Sequence, residues 1–152
     1  YGVKTDISAW EVGEKIFRYS LIPYRGTWND NSCHRKAQAV NQPLMAKISN
    51  KGKGAFPTQM SFLGIEQTDI AFSSLKVAEN DHSQLILRVY ELYGKKTKAR
   101  IKLRKKIAKV METDLQERIT KELRVSQNSV EFEITPYEVK TLLIKLQEDK
   151  KC

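Results

Sequence analysis

The acidic side chains best placed to do chemistry are those of Glu112, Asp114 and Glu117, which lie within six positions of one another. Two carboxyl groups held close together can divide acid and base work, because one can stay protonated while the other is ionised. The same three acids follow a long basic run, so they could equally be surface groups that balance its charge. We favour the surface role. Glu79 and Asp81 are expected to be turn residues whose side chains hold the backbone.

The chain has two histidines, His34 and His82. His34 follows Cys33, and an adjacent cysteine and histidine could bind a metal or activate a thiol. A catalytic zinc typically needs three protein ligands, and no third ligand lies nearby in the sequence. We therefore expect no metal site there, and we expect His82 to be a solvated turn residue. Cys33 and Cys152 are expected to be free thiols, which favours a reducing, cytoplasmic compartment.

Three aromatic side chains, Trp10, Tyr24 and Trp28, could stack on a sugar ring. Tryptophan near a loop more often packs in a core or an interface, and we favour that role. Arg88 interrupts an apolar strand and is expected to pair with Glu79 or Glu138 across the sheet, with a sugar contact as the alternative. An alternative function is therefore a free-standing β-sandwich that binds carbohydrate, and the candidate carbohydrate contacts are Trp28, Tyr24 and Arg88.

The segment from Lys95 to Lys109 contains nine lysines and arginines and no acid. Such a run could bind phosphate groups of a polyanion. However, no aromatic side chain interrupts it and no glycine-rich element accompanies it. Alternating lysines also discourage a sheet edge from pairing with another strand. We expect a solvated edge strand here, and nucleic acid is not favoured as a partner.

Composition narrows the class of protein. The 152 residues suffice for one domain or two small ones, and the net charge is +9. No apolar run approaches 18 residues, and no signal peptide is visible, so no membrane partner is expected.

The elements that would position these residues are mostly short strands, recognised by alternation of apolar and polar side chains. The predicted strands are 15–23, 60–63, 70–77, 85–90, 98–104, 130–134 and 139–146. A change of parity at Ser73–Ser74 predicts a bulge, and Pro136 predicts a corner. His34–Asn41 is predicted to be a short helix that ends before Pro43. Met111–Glu122 is ambiguous, either one or two helical turns or an irregular connection.

These elements predict an all-β chain with an antiparallel β-sandwich. The glycine-rich, polar stretch 49–54 is the best linker candidate, and we place a boundary there. The predicted units are residues 1–52, the last strands of a preceding larger β-sandwich domain, and residues 53–152, the terminal sandwich. Strands in 1–52 that lack partners could promote self-association.

Five motifs in order resemble the C-terminal half of the family 38 glycoside hydrolases, the retaining α-mannosidases. The first spans 13–28, where Gly13, Glu14, Phe17, Tyr19, Leu21, Pro23, Gly26 and Trp28 match. Lys15 and Tyr24 stand where that family often has histidine. The others are Asn41-Gln-Pro-Leu44, the hairpin of 74–81 and 85–91, the acidic 112–118 and the closing Thr135-Pro-Tyr-Glu-Val-Lys-Thr141.

The resemblance implies a parent enzyme that hydrolyses terminal α-mannosides with retention. A retaining glycosidase uses two carboxyl groups about 5 Å apart. In this family the nucleophilic aspartate and the zinc lie upstream of the β-domains. The resemblance therefore implies that residues 1–52 end the central mannosidase β-domain, and that this chain holds neither catalytic residues nor a cofactor. The implied partners are the upstream catalytic domain of the same chain and an α-mannoside substrate.

Overall fold

The structure is a computed structural model that describes residues 13–30, 32–48, 54 and 57–148. It divides into two compact units, Tyr1–Ile48 and Ser49–Cys152. Apart from Gly54, the predicted linker lies outside the described residues, as do Trp10 and Cys152. The assignment of residues 1–52 to the end of a larger β-domain stays a prediction. None of the described helices is long and apolar enough to span a membrane.

The first unit contains helix α1, Cys33–Asn41. It begins after Ser32, whose backbone is left-handed with φ 48°, and the N–H of Gln42 donates to the C=O of Gln38 at its end. Pro43 follows one residue later, where it could not continue a helix. The predicted helix is thus confirmed, and it starts one residue earlier than expected.

The strand predicted at 15–23 is wrong, because the described residues 13–30 form no strand. The side chains of Phe17, Tyr19 and Leu21 alternate as a strand requires, but they are 84–88% exposed. A strand exists only when a neighbouring strand completes its hydrogen-bond ladder. The described part of this unit supplies no such neighbour.

The second unit is an antiparallel β-sandwich, which confirms the predicted fold class. Its strands are β1 (Leu63–Ile65), β2 (Ile70–Val77), β3 (Gln84–Glu91), β4 (Thr97–Leu103), β5 (Ile107–Thr113), β6 (Ile119–Leu123), β7 (Val125–Ser126), β8 (Ser129–Ile134) and β9 (Val139–Leu146). One sheet has the order β1-β4-β8-β7, and the other has the order β2-β3-β9-β5-β6. The chain passes between the sheets several times, so the two sheets are connected at both ends.

The core lies between the two sheets and is built from alternate residues of most strands. Its fully buried members include Leu87, Val89, Ile101, Ile134, Leu142 and Ile144. Burying each such side chain contributes roughly 1.5–3 kcal/mol. The predicted change of parity in β2 is confirmed, because the register with β3 shifts between Phe72 and Ser74. The bulge there lets both Phe72 and Leu75 pack against the core.

The hairpin of β5 and β6 corrects the ambiguous interpretation of 111–122. Neither helical turns nor an irregular connection occupies this stretch; the strands pair from Val110↔Leu123 to Thr113↔Ile119. A register shift between Ile107 and Lys109 interrupts the alternation of β5. The buried residues Ile107, Val110 and Thr113 recur every third position, which imitates a helical period.

Candidate functional site

Glu91 is a buried carboxylate at one end of the sandwich, and it is 2% exposed. Its Oε1 accepts the N–H of Tyr93 at 2.8 Å, and its Oε2 accepts the N–H groups of Gly94 at 2.8 Å and Tyr137 at 2.9 Å. The N–H of Lys95 is a fourth donor. The β3–β4 turn and the β8–β9 turn both cross between the sheets here, so one carboxylate ties two crossings together.

The charge of Glu91 is stabilised by these amides. Burial alone would raise its pKa, but the four backbone donors favour the ionised form more strongly, and the pKa lies below its ordinary value. A carboxylate fully occupied by backbone donors is a structural lock and not a general acid, because a general acid at neutral pH needs a raised pKa.

The Glu91 lock requires left-handed backbone at Gly94, where φ is +72°, and this gives a testable prediction. In Gly94→Ala, the new Cβ would also lie 2.6 Å from the Oη of Tyr137. We expect the free energy of unfolding to fall by about 1–2 kcal/mol, measured by urea denaturation. Gly64→Ala is the matched control, since its Cβ meets nothing closer than 3.9 Å and should cost under about 0.5 kcal/mol. Equal effects of the two changes would contradict the lock.

A cleft of about 600 Å³ opens between the sheets beside this end of the sandwich. Deep in it, the Nζ of Lys140 lies 2.5 Å from Oε1 of Glu112 and 2.8 Å from Oε1 of Glu138. Lys140 belongs to the row of β9 that includes Leu142 and Ile144, so its side chain points between the sheets and is only 13% exposed. In this ion triad the side chains of Glu112 and Glu138 are 21% and 30% exposed.

Hydrogen bonds within the triad and from Thr135 stabilise its charged groups. Burial opposes the charge on Lys140, but hydrogen bonds to Glu112 and Glu138 more than offset it, so the pKa of Lys140 is raised. Burial likewise opposes the charge on Glu138, yet hydrogen bonds from Lys140 and Thr135 bring its pKa below the ordinary value. Thr135 donates both its N–H and its hydroxyl to Oε2 of Glu138, which holds the β8–β9 turn.

Removing the central cation should destabilise the sandwich. In Lys140→Met, two carboxylates lose their shared partner in a partly enclosed site, and we expect the free energy of unfolding to fall by about 2 kcal/mol at pH 7. Repulsion between Glu112 and Glu138 is relieved by protonation, so the deficit should shrink at pH 4. Lys145→Met, at an exposed position of the same strand, is the control and should cost under about 0.5 kcal/mol. A deficit unchanged between pH 7 and pH 4 would contradict the role of the triad.

The three acids singled out in the sequence do not converge on a common site in this structure. Glu112 belongs to the triad, whereas Asp114 pairs with Arg118, whose Nε lies 2.6 Å from Oδ2. The Glu117 carboxylate lies 2.7 Å from Nζ of Lys76 and accepts the N–H of Glu79. The hydrogen bonds from Arg118 and Lys76 lower the pKa of Asp114 and Glu117 respectively.

The candidate carbohydrate contacts lie in different units. Tyr24 and Trp28 are in the first unit and are 47% and 45% exposed. Arg88 is in β3, and its Nε donates to Oγ1 of Thr141 at 3.2 Å. The expected pairing of Arg88 with Glu79 or Glu138 is wrong, because those acids hold Lys76 and Lys140 instead. A sugar contact at Tyr24, Trp28 or Arg88 stays a prediction.

The histidines and the cysteine offer no zinc site within the described residues, since nowhere in them do three potential ligand side chains converge. Cys33 is a free, half-buried thiol on α1. The neighbouring His34 has a pKa lowered by burial and by Arg35. His82 is exposed in the β2–β3 turn, as expected. In the same turn Asp81 accepts the N–H and hydroxyl of Ser83, which confirms its predicted role.

The basic strand is not a sheet edge, which corrects that expectation: β4 lies inside its sheet between β1 and β8. Its neighbours supply acids that pair with several of its cations. Lys96 contacts Glu133 at 2.8 Å and Lys98 contacts Glu131 at 2.6 Å, while Arg100 lies 3.5 Å from Glu131. The exposed face of the strand is therefore a charge ladder. Binding of a polyanion stays a prediction.

Sequence reasoning missed the roles of Glu91 and Lys140. Glu91 ends the motif 85–91, and the amide of Tyr137 belongs to the closing motif 135–141. The two motifs are far apart in sequence but meet at the Glu91 carboxylate. A glutamate at the end of an apolar strand, followed by a turn glycine, was the available signal.

Comparison with known proteins agrees with this architecture. Residues 69–142 match the family described as "Glycosyl hydrolases family 38 C-terminal beta sandwich domain". The chain is 26% identical over 141 residues to alpha-mannosidase 2C1 of Homo sapiens and 26% identical over 142 residues to that of Mus musculus. Each alignment covers 90% of this chain but only 13% of the relative, so the chain spans a small part of their length. Residues 69–142 of this chain are therefore similar to the C-terminal β-sandwich domains of the family 38 glycosyl hydrolases.

Proposed function

We propose that this chain is the non-catalytic C-terminal β-portion of an α-mannosidase, where it supports the catalytic domain and its substrate cleft. The match of 69–142 to a C-terminal domain family carries the proposal. Two relatives named alpha-mannosidase 2C1, aligned over 90% of this chain, support an α-mannosidase activity for the parent. The parent would hydrolyse terminal α-mannosides with retention and would hold its zinc outside this chain.

The state of the acids supports a non-catalytic role. A retaining glycosidase needs a carboxyl group that stays protonated near neutral pH and a second one as nucleophile. Asp114, Glu117 and Glu138 each have a lowered pKa, because a cation or a backbone amide stabilises the charged form. Glu91 and Glu112 are occupied by backbone donors and by Lys140. These groups hold turns or pair with nearby cations.

The proposal is tested by replacing the aligned segment of a relative with this chain. Human alpha-mannosidase 2C1 lacking the segment that aligns with this chain should lose hydrolysis of 4-nitrophenyl α-mannoside, because its catalytic domain loses a supporting surface. The same protein with this chain fused in its place should recover activity. This chain alone, with added zinc, should hydrolyse nothing above background.

The control separates support by a folded sandwich from an unspecific effect of the fusion. The Leu142 side chain is fully buried, whereas that of Leu115 is 67% exposed. A fusion carrying Leu142→Ala should therefore recover less activity than one carrying Leu115→Ala. Hydrolysis by this chain alone that disappears in Glu112→Gln would overturn the non-catalytic assignment. Full activity of the truncated relative would overturn the supporting role.

A further inference from the structure

Half of strand β8 is paired on one side only. Strand β7 is two residues long and pairs with β8 only at Val125↔Val130 and Ser126↔Ser129. Beyond that point, Glu131–Ile134 are paired with β4 and, among the described residues, with no strand on the other side. A row of unpaired backbone groups is a template for an additional strand.

The register shows which groups are free. The N–H of Leu103 donates to the C=O of Asn128, and the N–H of Glu66 donates to the C=O of Arg100. Odd-numbered residues of β4 therefore direct their backbone groups toward β8, and even-numbered ones toward β1. Ala99 pairs with Phe132 and Thr97 pairs with Ile134, so the backbone N–H and C=O groups of the even-numbered residues of β8 point toward β4. The N–H and C=O groups of Glu131 and Glu133 consequently face away from the sheet.

The space beside this free edge is the 600 Å³ cleft described above. Its walls are β8, through Glu131, Phe132 and Glu133, and β6, through Lys121–Leu123. A volume of this size lies in the range of about 300–1,000 Å³ found for ligand sites. The lining contains five glutamates, namely Glu112, Glu122, Glu131, Glu133 and Glu138, but only three cations, namely Lys121, Arg124 and Lys140.

The charges on the edge select the kind of strand that can pair there. On the outer face, Glu131 and Glu133 hold lysines of the β4 side, at 2.6 Å and 2.8 Å. The pKa of Glu133 is lowered mainly by the hydrogen bond from Lys96, and Lys121 of the opposite wall contributes as well. A cation on the cleft side is therefore favourable. Like charges placed opposite each other in a sheet are destabilising, so the β8 edge of a second copy would be repelled.

We propose that the free edge of β8 binds an extended peptide, antiparallel to Glu131–Glu133, that carries lysine or arginine at alternate positions with an apolar residue between them. The two cations would lie opposite Glu131 and Glu133 and continue the ladder of alternating charge. The apolar residue would lie opposite Phe132 and point into the cleft toward Leu123. Backbone hydrogen bonds supply the affinity of such strand addition, and side chains supply its specificity.

The test is hydrogen exchange of the full chain with and without acetyl-Thr-Lys-Val-Lys-Thr-amide, read by NMR. Saturating peptide should slow exchange at the amides of Glu131 and Glu133 by at least about ten-fold. The amides of Phe132 and Ile134, already bonded to β4, should not change. The same peptide with a methyl group on the backbone amide nitrogen of each lysine should not bind, because each methyl group removes a backbone N–H donor to the edge.

Variants address the charge selection. In the double change Glu131→Gln and Glu133→Gln, the dissociation constant for the lysine peptide should rise about five-fold, from the loss of two cross-strand charge pairs. Glu79→Gln is the control and should leave the dissociation constant unchanged, because the Glu79 side chain is 75% exposed in the β2–β3 turn. A peptide with glutamate in place of lysine should bind the wild-type chain more weakly than the lysine peptide.

Three results would overturn the proposal. One is peptide binding without added protection at Glu131 and Glu133. Another is equal binding of the lysine peptide and its N-methylated form. The third is protection of these amides that grows with protein concentration in the absence of peptide, because that would identify a second copy of the chain as the occupant.

Discussion

Replacing Glu91 with glutamine is expected to lower the free energy of unfolding of the sandwich by about 3 kcal/mol at pH 7. The glutamine carbonyl can still accept some of the four backbone N–H groups, but its amide nitrogen brings two further donors toward them. Buried donors are then left without acceptors, at about 1–3 kcal/mol each. The loss concerns two turns at once, because the donors come from both the β3–β4 and the β8–β9 connections.

The effect of Glu91→Gln should depend on pH with a definite sign. The pKa of Glu91 in the folded chain lies below its ordinary value of 4.5. Its charge therefore contributes stability that is fully present above pH 4.5 and is lost as the pH falls through the lower, folded-state pKa. Glutamine does not titrate, so the difference between the two proteins should narrow as the pH falls below 4.5.

The measurement needs a probe within the sandwich. The unit Ser49–Cys152 contains no tryptophan, so the sandwich has no tryptophan fluorescence of its own. Urea denaturation should instead be followed by far-ultraviolet circular dichroism or by NMR signals of core amides. Glu79→Gln is the matched control and should change stability by less than about 0.5 kcal/mol. A difference in the free energy of unfolding between wild type and Glu91→Gln that is constant from pH 7 to pH 3 would refute the role of charge in the Glu91 lock.

Alternation along the strands was sufficient to predict most of the sandwich. The β9 strand has the bounds expected from its sequence, and the change of parity at Ser73–Ser74 located the bulge of β2. These features are local, because the period of two and its interruption can be read in one strand. The hairpin of β5 and β6 was not predictable in this way, since the buried residues of β5 recur every third position and a register shift beside Lys109 interrupts the strand.

Pairing partners are the information that one strand does not contain. Residues 15–23 have the alternation of a strand, but the described residues of that unit offer no sheet to join. Conversely, the lysines of β4 suggested an edge, whereas Glu131 and Glu133 of β8 lie beside them and allow an inner position. Whether a charged strand is an edge depends on its neighbours, which the topology decides.

The candidate site shows the same dependence on long-range contacts. Glu91 and Tyr137 are 46 positions apart, and Glu112 and Lys140 are 28 apart. Sequence proximity instead grouped Glu112 with Asp114 and Glu117, which the sandwich directs to different partners. Residue types could identify the charged groups, but only the closed sandwich determines which of them meet.

Replacing Leu142 with alanine tests the core that all of these contacts rest on. Leu142 is 0% exposed and lies in β9, the middle strand of the five-stranded sheet, with β3 on one side and β5 on the other. Alanine at this position would leave a cavity that the surrounding strands can fill only partly. We expect the free energy of unfolding to fall by about 3–4 kcal/mol, measured by urea denaturation at pH 7.

The matched control is Leu115→Ala, the same chemical change at a side chain that is 67% exposed in the β5–β6 turn. It should cost less than about 0.5 kcal/mol, because little apolar surface is returned to water. The deficit of Leu142→Ala should also be the same at pH 7 and at pH 4, since no titratable group is removed, in contrast to Glu91→Gln. Equal costs for Leu142→Ala and Leu115→Ala would mean that the Leu142 side chain does not pack between the two sheets. The sandwich that positions Glu91 and the ion triad would then be wrong.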